Sequence, residues 1–387
     1  MQKIYFIDES LDKMGGVERV INTLVNNLND EYNIELISEL KSMNNTYFTY
    51  PKDVKINYIY DKSNLFSKKF KFFRPLYLFI RLFEKAEENL KTYILAKNFS
   101  KKITKDDIVV FGRVPVALHF LPHIKEAKKI IVREAIHLFH HKNKELMKKI
   151  FIEKVNLFIL SSDECQKIYN DFFEGKVKLA KIYNPLGITP KIIEDIDSKS
   201  VISVGRLDTH KGYDYLIRSW VNVNECHPDW ILRIVGDGYY KEKMVSLIKE
   251  LNLEDKVLLV PSSKNIVEEL IKSSIYVMSS RFEGYANALV EAMSCGLASI
   301  TYNWLVGPDE IIKDGINGLM VYLEDRFKYF ETLDINENDI NSLSKSINLL
   351  IEDKELRQRL SNESVKIIES RKQEKIIEEW KKHILRS

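Results

Sequence analysis

Twice along its length the chain runs through the same alternation: a short apolar β-rich run, a glycine-bearing loop, then an amphipathic helix. Few architectures accept that order. Apolar runs too short for helices, each followed by a segment of 3.6-residue periodicity, require a parallel sheet with crossover helices on its faces. The first instance is "KIYFI", residues 3–7, then a polar loop, then "GGVERVINTLVNNL", residues 15–28. There Val17, Val20, Ile21, Leu24, Val25 and Leu28 recur at helical spacing, and "YNIELIS" follows as a second strand. "DIVVFGR" (107–113), "KIIVRE" (129–134), "NLFILSS" (156–162) and "KLAKIYN" (178–184) read as later strands.

"NPLGITP", residues 184–190, interrupts the pattern with two prolines and a glycine and reads as a linker. The alternation then restarts. "KSVISVGRL" is a strand, "DYLIRSWVNV" a helix and "DWILRIVGDG" a strand and turn, while "KVLLVP", "SIYVMSS" and "LASITYN" are further strands. Two tandem series predict an α/β protein of two doubly wound, Rossmann-like domains facing a central cleft. The expected domains are residues 1–187, rejoined by a terminal helix at 369–387 around "IIEEWKKHIL", and residues 188–368. From about 336 onward the chain is helical and highly charged.

Composition removes some functional classes. Among 387 residues, 59 basic and 56 acidic side chains leave a net charge of +3, too mild to argue for nucleic acid. Cys165, Cys226 and Cys295 are odd in number and far apart, so neither a disulfide framework nor a metal spacing is expected. The N-terminal "MQKIYFIDES" has no apolar run of signal-peptide length, and no stretch approaches a membrane span. The expected location is the cytoplasm, with the inner face of the cell membrane as a docking surface.

The chemistry concentrates in the second half. In "SVGRLDTHKGYDYLI", residues 203–217, Gly205 ends a strand, and Arg206 and Lys211 lie on the loop before a helix. Two cations beside glycines suit a diphosphate, the arginine as a fork and the lysine as a point charge. Either alone is equally well a solvated loop cation. In "RFEGYANALVEAMSCG", residues 281–296, Glu283 sits in a loop and Glu291 one turn into a helix that starts near Asn287. That helix N-terminus offers amide hydrogens to a phosphate or a sugar hydroxyl. A carboxylate packed beside Leu289, Val290, Ala292 and Met293 is costly unless it accepts hydrogen bonds, and vicinal hydroxyls would supply them. A single acid would be read as a cap or an ion-pair partner.

Together, "SVGRL…KG", "IVGDG", "SSRFEGYANALVEAMSCGLASI" and "GPDEIIKDGINGLMV" resemble the retaining glycosyltransferases of the GT-B fold, family four, from about residue 199 to 322. "GGVERV" resembles that family's glycine loop facing the donor. The resemblance implies a role for each residue. Arg206 and Lys211 bind the donor diphosphate and stabilise the leaving group, Glu291 binds the nucleotide ribose, and Glu283 contacts the transferred sugar. Amides around Tyr285, Ala286 and Asn287 touch sugar or phosphate. Gly15 and Gly16 let the backbone approach the phosphates, where a side chain would block it. No metal and no cofactor are implied, the nucleotide sugar being a substrate. Ala286 stands where the family often has glycine or proline, and Pro261 where it often has glycine; these changes bear on the sugar pocket and the nucleobase loop. Asp237 and the isolated histidines read as structural or capping residues.

Relatives often carry a donor-contacting histidine after a strand of the first half. After "KIIVRE" the nearest candidate is His137, while His140 and His141 read as surface residues on a helix. Arg113 is an acceptor or phosphate contact, or a surface arginine. "FSKKFKFFRPLYLFIRLFEK", residues 66–85, interleaves Lys68, Lys69, Lys71, Arg74, Arg81 and Lys85 with aromatics, as suits an anionic membrane surface, a polyanionic acceptor or an internally packed helix.

The resulting expectation is a retaining, metal-independent hexosyltransferase. It would take a UDP-sugar donor and a lipid-linked or cell-surface polysaccharide acceptor, with no nucleic-acid partner. The alternatives are a non-catalytic membrane- or nucleic-acid-binding scaffold on the same fold, or another GT-B sugar-nucleotide enzyme such as an epimerase.

Overall fold

The computed structural model describes residues 2–13, 15–43, 45–61, 87, 90–134, 136–138, 141, 143–326, 328 and 336–385. The basic, aromatic segment 66–85 and His140 lie outside the described residues.

The chain forms two compact units, Met1–Pro185 with Glu374–Ser387, and Leu186–Gln373. Against the expected boundaries at 187/188 and 368/369, the division falls between Pro185 and Leu186 and between Gln373 and Glu374. The Leu186 amide donates to the Arg371 carbonyl at 3.0 Å, which ties the two ends of the second unit together.

The first unit holds a seven-stranded sheet. Its strands are β1 (Lys3–Asp8), β2 (Asn33–Lys41), β3 (Ile56–Asp61), β4 (Ile108–Phe111), β5 (Lys129–Glu134), β6 (Leu157–Leu160) and β7 (Leu179–Lys181). Their order is β3-β2-β1-β4-β5-β6-β7, and every pairing is parallel. Ile4 of β1 lies opposite Ile34 on one side and Ile108 on the other. The central strands "IVVF" and "LFIL" are buried throughout, the pattern of a sheet covered on both faces. Helix Gly16–Leu28 buries Val20, Ile21, Leu24, Val25 and Leu28, the stripe its spacing predicts. The terminal helix Gln373–Leu385 lays Ile376, Ile377, Trp380 and Ile384 into the same apolar cluster as Ile4, Phe6 and Ile131.

The second unit holds a six-stranded parallel sheet: β8 (Ser200–Val204), β9 (Ile231–Val235), β10 (Val257–Val260), β11 (Ile275–Met278), β12 (Ala298–Tyr302) and β13 (Leu319–Val321). Their order is β10-β9-β8-β11-β12-β13. Alternate residues of one strand serve opposite faces. Ile275 and Val277 pack with Leu216, Ile217 and Trp220 of helix Tyr213–Cys226. Tyr276 and Met278 pack with Leu289, Val290 and Met293 of helix Asn287–Ser294.

Candidate functional site

In each sheet the strand order reverses once, between β1 and β4 and between β8 and β11. Helices leave such a pair toward opposite faces, so the carboxyl ends of those two strands open a crevice. The clusters singled out in the second half leave β8 and β11, the reversal pair of the second sheet.

From β8 the chain passes Gly205 and Arg206, makes a short 3-10 turn at Thr209–Lys211, and enters helix Tyr213–Cys226 through Gly212 at φ +61°. That left-handed conformation favours glycine. From β11 it passes Ser279 to Tyr285 and enters helix Asn287–Ser294, whose N-cap residue Ala286 supplies no side-chain cap. The helix starts at the expected residue.

Hydrogen bonds and an ion pair fasten one loop to the other. The Arg281 amide donates to the His210 carbonyl at 2.7 Å, and the Ser279 hydroxyl donates to the Lys211 carbonyl at 3.0 Å. The Arg281 guanidinium forks onto Asp214 at 2.9 and 2.7 Å, with the two side chains only 3% and 11% exposed. The same guanidinium lies 5.1 Å from the Tyr215 ring centroid. Within this brace Lys211 Nζ donates to Glu283 Oε1 at 2.6 Å, both side chains being largely buried. The Ser280 hydroxyl donates to the same oxygen at 2.6 Å. Among the described residues, Oε2 of Glu283 takes no hydrogen bond.

Glycine is required at 205 by this arrangement. A Cβ there would lie 2.9 Å from the Tyr213 hydroxyl and 3.0 Å from Lys211 Cε. Gly236 and Gly238 of the "IVGDG" turn serve the backbone, since a Cβ would lie 1.9 Å from the Gly205 carbonyl oxygen and 2.2 Å from that of Leu207. The Asp237 carboxylate accepts from the Ser262 amide and hydroxyl at 2.9 and 2.6 Å. Arg206 leans on Asp208 through Nε at 2.9 Å and Nη2 at 2.8 Å, yet 76% of its side chain is exposed, so its remaining donors face solvent. Glu291 is buried in the second turn of its helix. The Tyr285 hydroxyl accepts from Arg371 Nε.

Lys211 and Glu283 are therefore joined directly, Gly205 abuts them, and Arg206 is nearby in the chain but points outward. Gly15, Gly16 and His137 belong to the first unit. There a Cβ on Gly15 would lie 2.0 Å from Glu18 Oε2, so within this unit the missing side chain makes room for a carboxylate. That carboxylate meets Arg113 at 2.7 Å, and Arg113 also reaches Asp8 at 2.8 Å twice and Glu9 at 3.2 Å. Burial opposes the charge on Arg113, but Asp8 and Glu18 outweigh it and raise its pKa further. Burial pushes the Glu18 carboxyl up, against the pull of Arg113. Arg113 is thus spoken for, neither a surface arginine nor an open anion contact. His137 follows β5 and is half-buried; burial, then Lys144 and His141, hold its pKa down. His141 corrects its expected surface helical position. It is buried outside any helix, 2.8 Å from the Tyr169 hydroxyl and 3.8 Å from Glu134.

Sequence reasoning passed over Ser280, Asp208 and the Arg281–Asp214 pair. The Arg281–Asp214 pair forms across the β8–β11 neighbourhood, whereas Ser280 and Asp208 act locally, on Glu283 and Arg206 of their own loops.

Known proteins can be set against this geometry. The profile of the family "Glycosyl transferases group 1" matches residues 189–366. An uncharacterized glycosyltransferase of Haemophilus influenzae is 33% identical over 204 residues, 52% of this chain and 54% of that protein. An N-acetylgalactosamine-N,N'-diacetylbacillosaminyl-diphospho-undecaprenol 4-alpha-N-acetylgalactosaminyltransferase of Campylobacter jejuni is 30% identical over 236 residues, 56% of this chain and 60% of that protein. The chain thus spans between half and two thirds of the length of these relatives. The crystal structure of Anabaena HepE in complex with UDP superposes with a TM-score of 0.70 at 16% identity, covering 99% of each chain.

Proposed function

We propose, from the match of residues 189–366 to the group 1 glycosyl transferases and the likeness to GT-B structures, that this chain transfers a hexosyl group from a UDP-sugar to a bacterial surface glycan. One observation carries the reading. Glu283 is anchored through a single oxygen to Lys211 and Ser280, beside a helix N-terminus at the strand-order reversal, and its other oxygen is left for a hydroxyl donor.

A sugar diphosphate uses both halves of that pair. An ammonium has three donors, so Lys211 keeps Glu283 and still donates to a phosphate oxygen. Arg206 brings an exposed fork to the same anion. As the bond to the anomeric carbon breaks, negative charge grows on the leaving phosphate, and fixed cations stabilise that charge more than the ground state. Glu283 Oε2 holds a hydroxyl of the transferred sugar, and Glu291 the ribose. We place Tyr285, Ala286 and Asn287 against the sugar or phosphate through their amides. We also assign Gly15, Gly16 and His137 to the donor. The reaction proceeds with retention by front-face displacement and without metal, the two cations carrying the leaving charge.

The HepE complex with UDP supports the nucleotide, and the name of the Campylobacter relative supports a lipid-linked acceptor. No helix among the described residues is long and apolar enough to cross a membrane. We place the protein in the cytoplasm, at the inner membrane face where such an acceptor is held.

The test is a donor screen. Purified protein is offered UDP-, GDP-, ADP- and dTDP-sugars, with and without a chelator, and released nucleoside diphosphate is read. UDP release that survives chelation and is lost in Lys211→Ala and Glu283→Ala is the expected result. Failure of every nucleotide to bind would overturn the reading.

A further inference from the structure

The loop that carries Glu283 ends in a group the proposed chemistry does not use, the Tyr285 hydroxyl. It accepts from Arg371 Nε. Arg371 is 2% exposed and is the last residue of helix Ile367–Arg371. Its Nη1 donates to the Ser370 hydroxyl at 2.7 Å, and its Cζ lies 5.9 Å from the Tyr285 ring centroid. A guanidinium buried this deeply carries a desolvation cost that an apolar side chain of similar volume avoids. What it supplies in return is direction, because a planar, rigid fork fixes the phenol it holds.

The place of that phenol matters because of what stands on either side. Glu283 is fixed from upstream, by Lys211 and Ser280. Gly284 follows, the residue type with the freest backbone. Ala286 then leads into helix Asn287–Ser294 without a side-chain cap. Tyr285, whose carbonyl accepts from the Asn287 amide at 2.8 Å, is the downstream anchor of the loop.

Arg371 also stands just before Gln373, where the second unit ends. Its carbonyl accepts from the amide of Leu186, where that unit begins, at 3.0 Å. The stretches beside these two borders hold the far end of the same helix. The Ile193 amide donates to the Cys295 carbonyl at 2.9 Å, the Ser364 hydroxyl to the Met293 carbonyl at 3.1 Å, and the Ser361 hydroxyl to the Gly296 carbonyl. Arg371 carries the same fastening to the N-terminal end of that helix.

We propose that Arg371 is a positioning residue for the transferred sugar. Through the Tyr285 hydroxyl it holds residues 283–287 in the arrangement that presents the Glu283 carboxylate and the following amides to that sugar. Its backbone ties this arrangement to the stretches where the chain passes from one unit to the other. The inference rests on the transferase reading above. The diphosphate, held by Lys211 and Arg206, does not depend on it.

Two readouts test it on the full chain. One is hydrogen–deuterium exchange of peptides covering residues 281–294. The other is calorimetric binding of UDP, UDP-glucose, UDP-galactose and UDP-N-acetylgalactosamine. Tyr285→Phe keeps the ring and removes only the hydroxyl, so it stays decisive if Arg371→Met melts early. Each variant is expected to speed exchange at residues 283–287. Each should weaken the best-bound UDP-sugar about fivefold, the contribution of one hydrogen bond, and leave UDP affinity unchanged. The double variant should lose no more than the worse single one, since both remove the same hydrogen bond. Tyr285→Phe matching the wild type in exchange or in UDP-sugar binding, equal losses of UDP and UDP-sugar, or additive losses would each overturn the inference. Where the wild type binds none of the UDP-sugars, exchange alone decides: faster exchange in Tyr285→Phe upholds the brace, and unchanged exchange sinks it. Failure of UDP to bind as well is a failure of the transferase reading, not of the brace.

Discussion

The two sheets reverse their strand order in the same way and then do opposite things with the place they create. At the β8–β11 mouth each cation has a single acid, Lys211 with Glu283, Arg281 with Asp214 and Arg206 with Asp208, and Arg206 stays 76% exposed. At the β1–β4 mouth Arg113 has three acids, Asp8, Glu9 and Glu18, and is largely buried. On the proposed reading a phosphate would find spare donors at the first, whereas at the second Arg113 is already matched by three acids.

The strongest way to break this comparison is Arg113→Met. It strands Asp8 and Glu18, whose side chains are 0% and 8% exposed, so stability should fall by about 3–5 kcal/mol in urea unfolding. An unchanged midpoint would show that Arg113 is not what holds the first mouth closed. Lys211→Ala should cost transfer activity roughly 3 kcal/mol of transition-state stabilisation, about a hundredfold in kcat/KM, while leaving UDP binding measurable. Gly205→Ala forces a methyl against Lys211 and the Tyr213 hydroxyl, and overpacking of this kind costs about 1–3 kcal/mol. Its thermal melt and its rate should both drop, which separates it from Lys211→Ala. Arg206→Met, the counterpart of Arg113→Met, should shift stability by no more than about 0.5 kcal/mol yet weaken UDP binding in calorimetry.

The smallest effect concerns pH. The hydrogen bond to Glu39, opposed by burial and helped by the charges of Glu39 and Glu9, raises the His119 pKa above its ordinary value. The folded state therefore keeps a proton that the unfolded state gives up. The stabilisation is complete below the ordinary imidazole pKa of about 6.5 and fades as pH rises through the raised value. The melting-temperature gap between wild type and His119→Gln should be widest on the acid side. In NMR titration, Glu39→Gln should lower the His119 pKa.

Central strands were legible because buried parallel strands must be almost wholly apolar; "KIIVRE" matches β5 residue for residue. Strands at the sheet edges were not. β3 reads "INYIYD" with most positions half-exposed, and β13 is three residues after a turn, so neither carries a run that stands out. Lys211 and Glu283 were identifiable as candidates from their neighbours in sequence, but their pairing depends on β8 lying beside β11. Asp8 and Arg113 show the limit more sharply. They meet because β1 pairs with β4, across a long stretch of chain, and nothing in either local segment announces the other. Arg133 is of the same kind, a buried guanidinium bonded to Asn184, far along the chain, whose Nη1 lacks a partner among the described residues.

The helix Gln373–Leu385 sets a timetable for synthesis. Trp380, Ile376 and Ile384 complete an apolar cluster founded by Ile4 and Phe6, near the opposite end of the chain. During translation the first unit emerges with that seat empty, and the second unit is made in full before the missing piece leaves the ribosome. Domains ordinarily fold N-terminal first. Here the earlier-made unit waits with that apolar seat uncovered, so nascent chains stalled in the second unit should expose it.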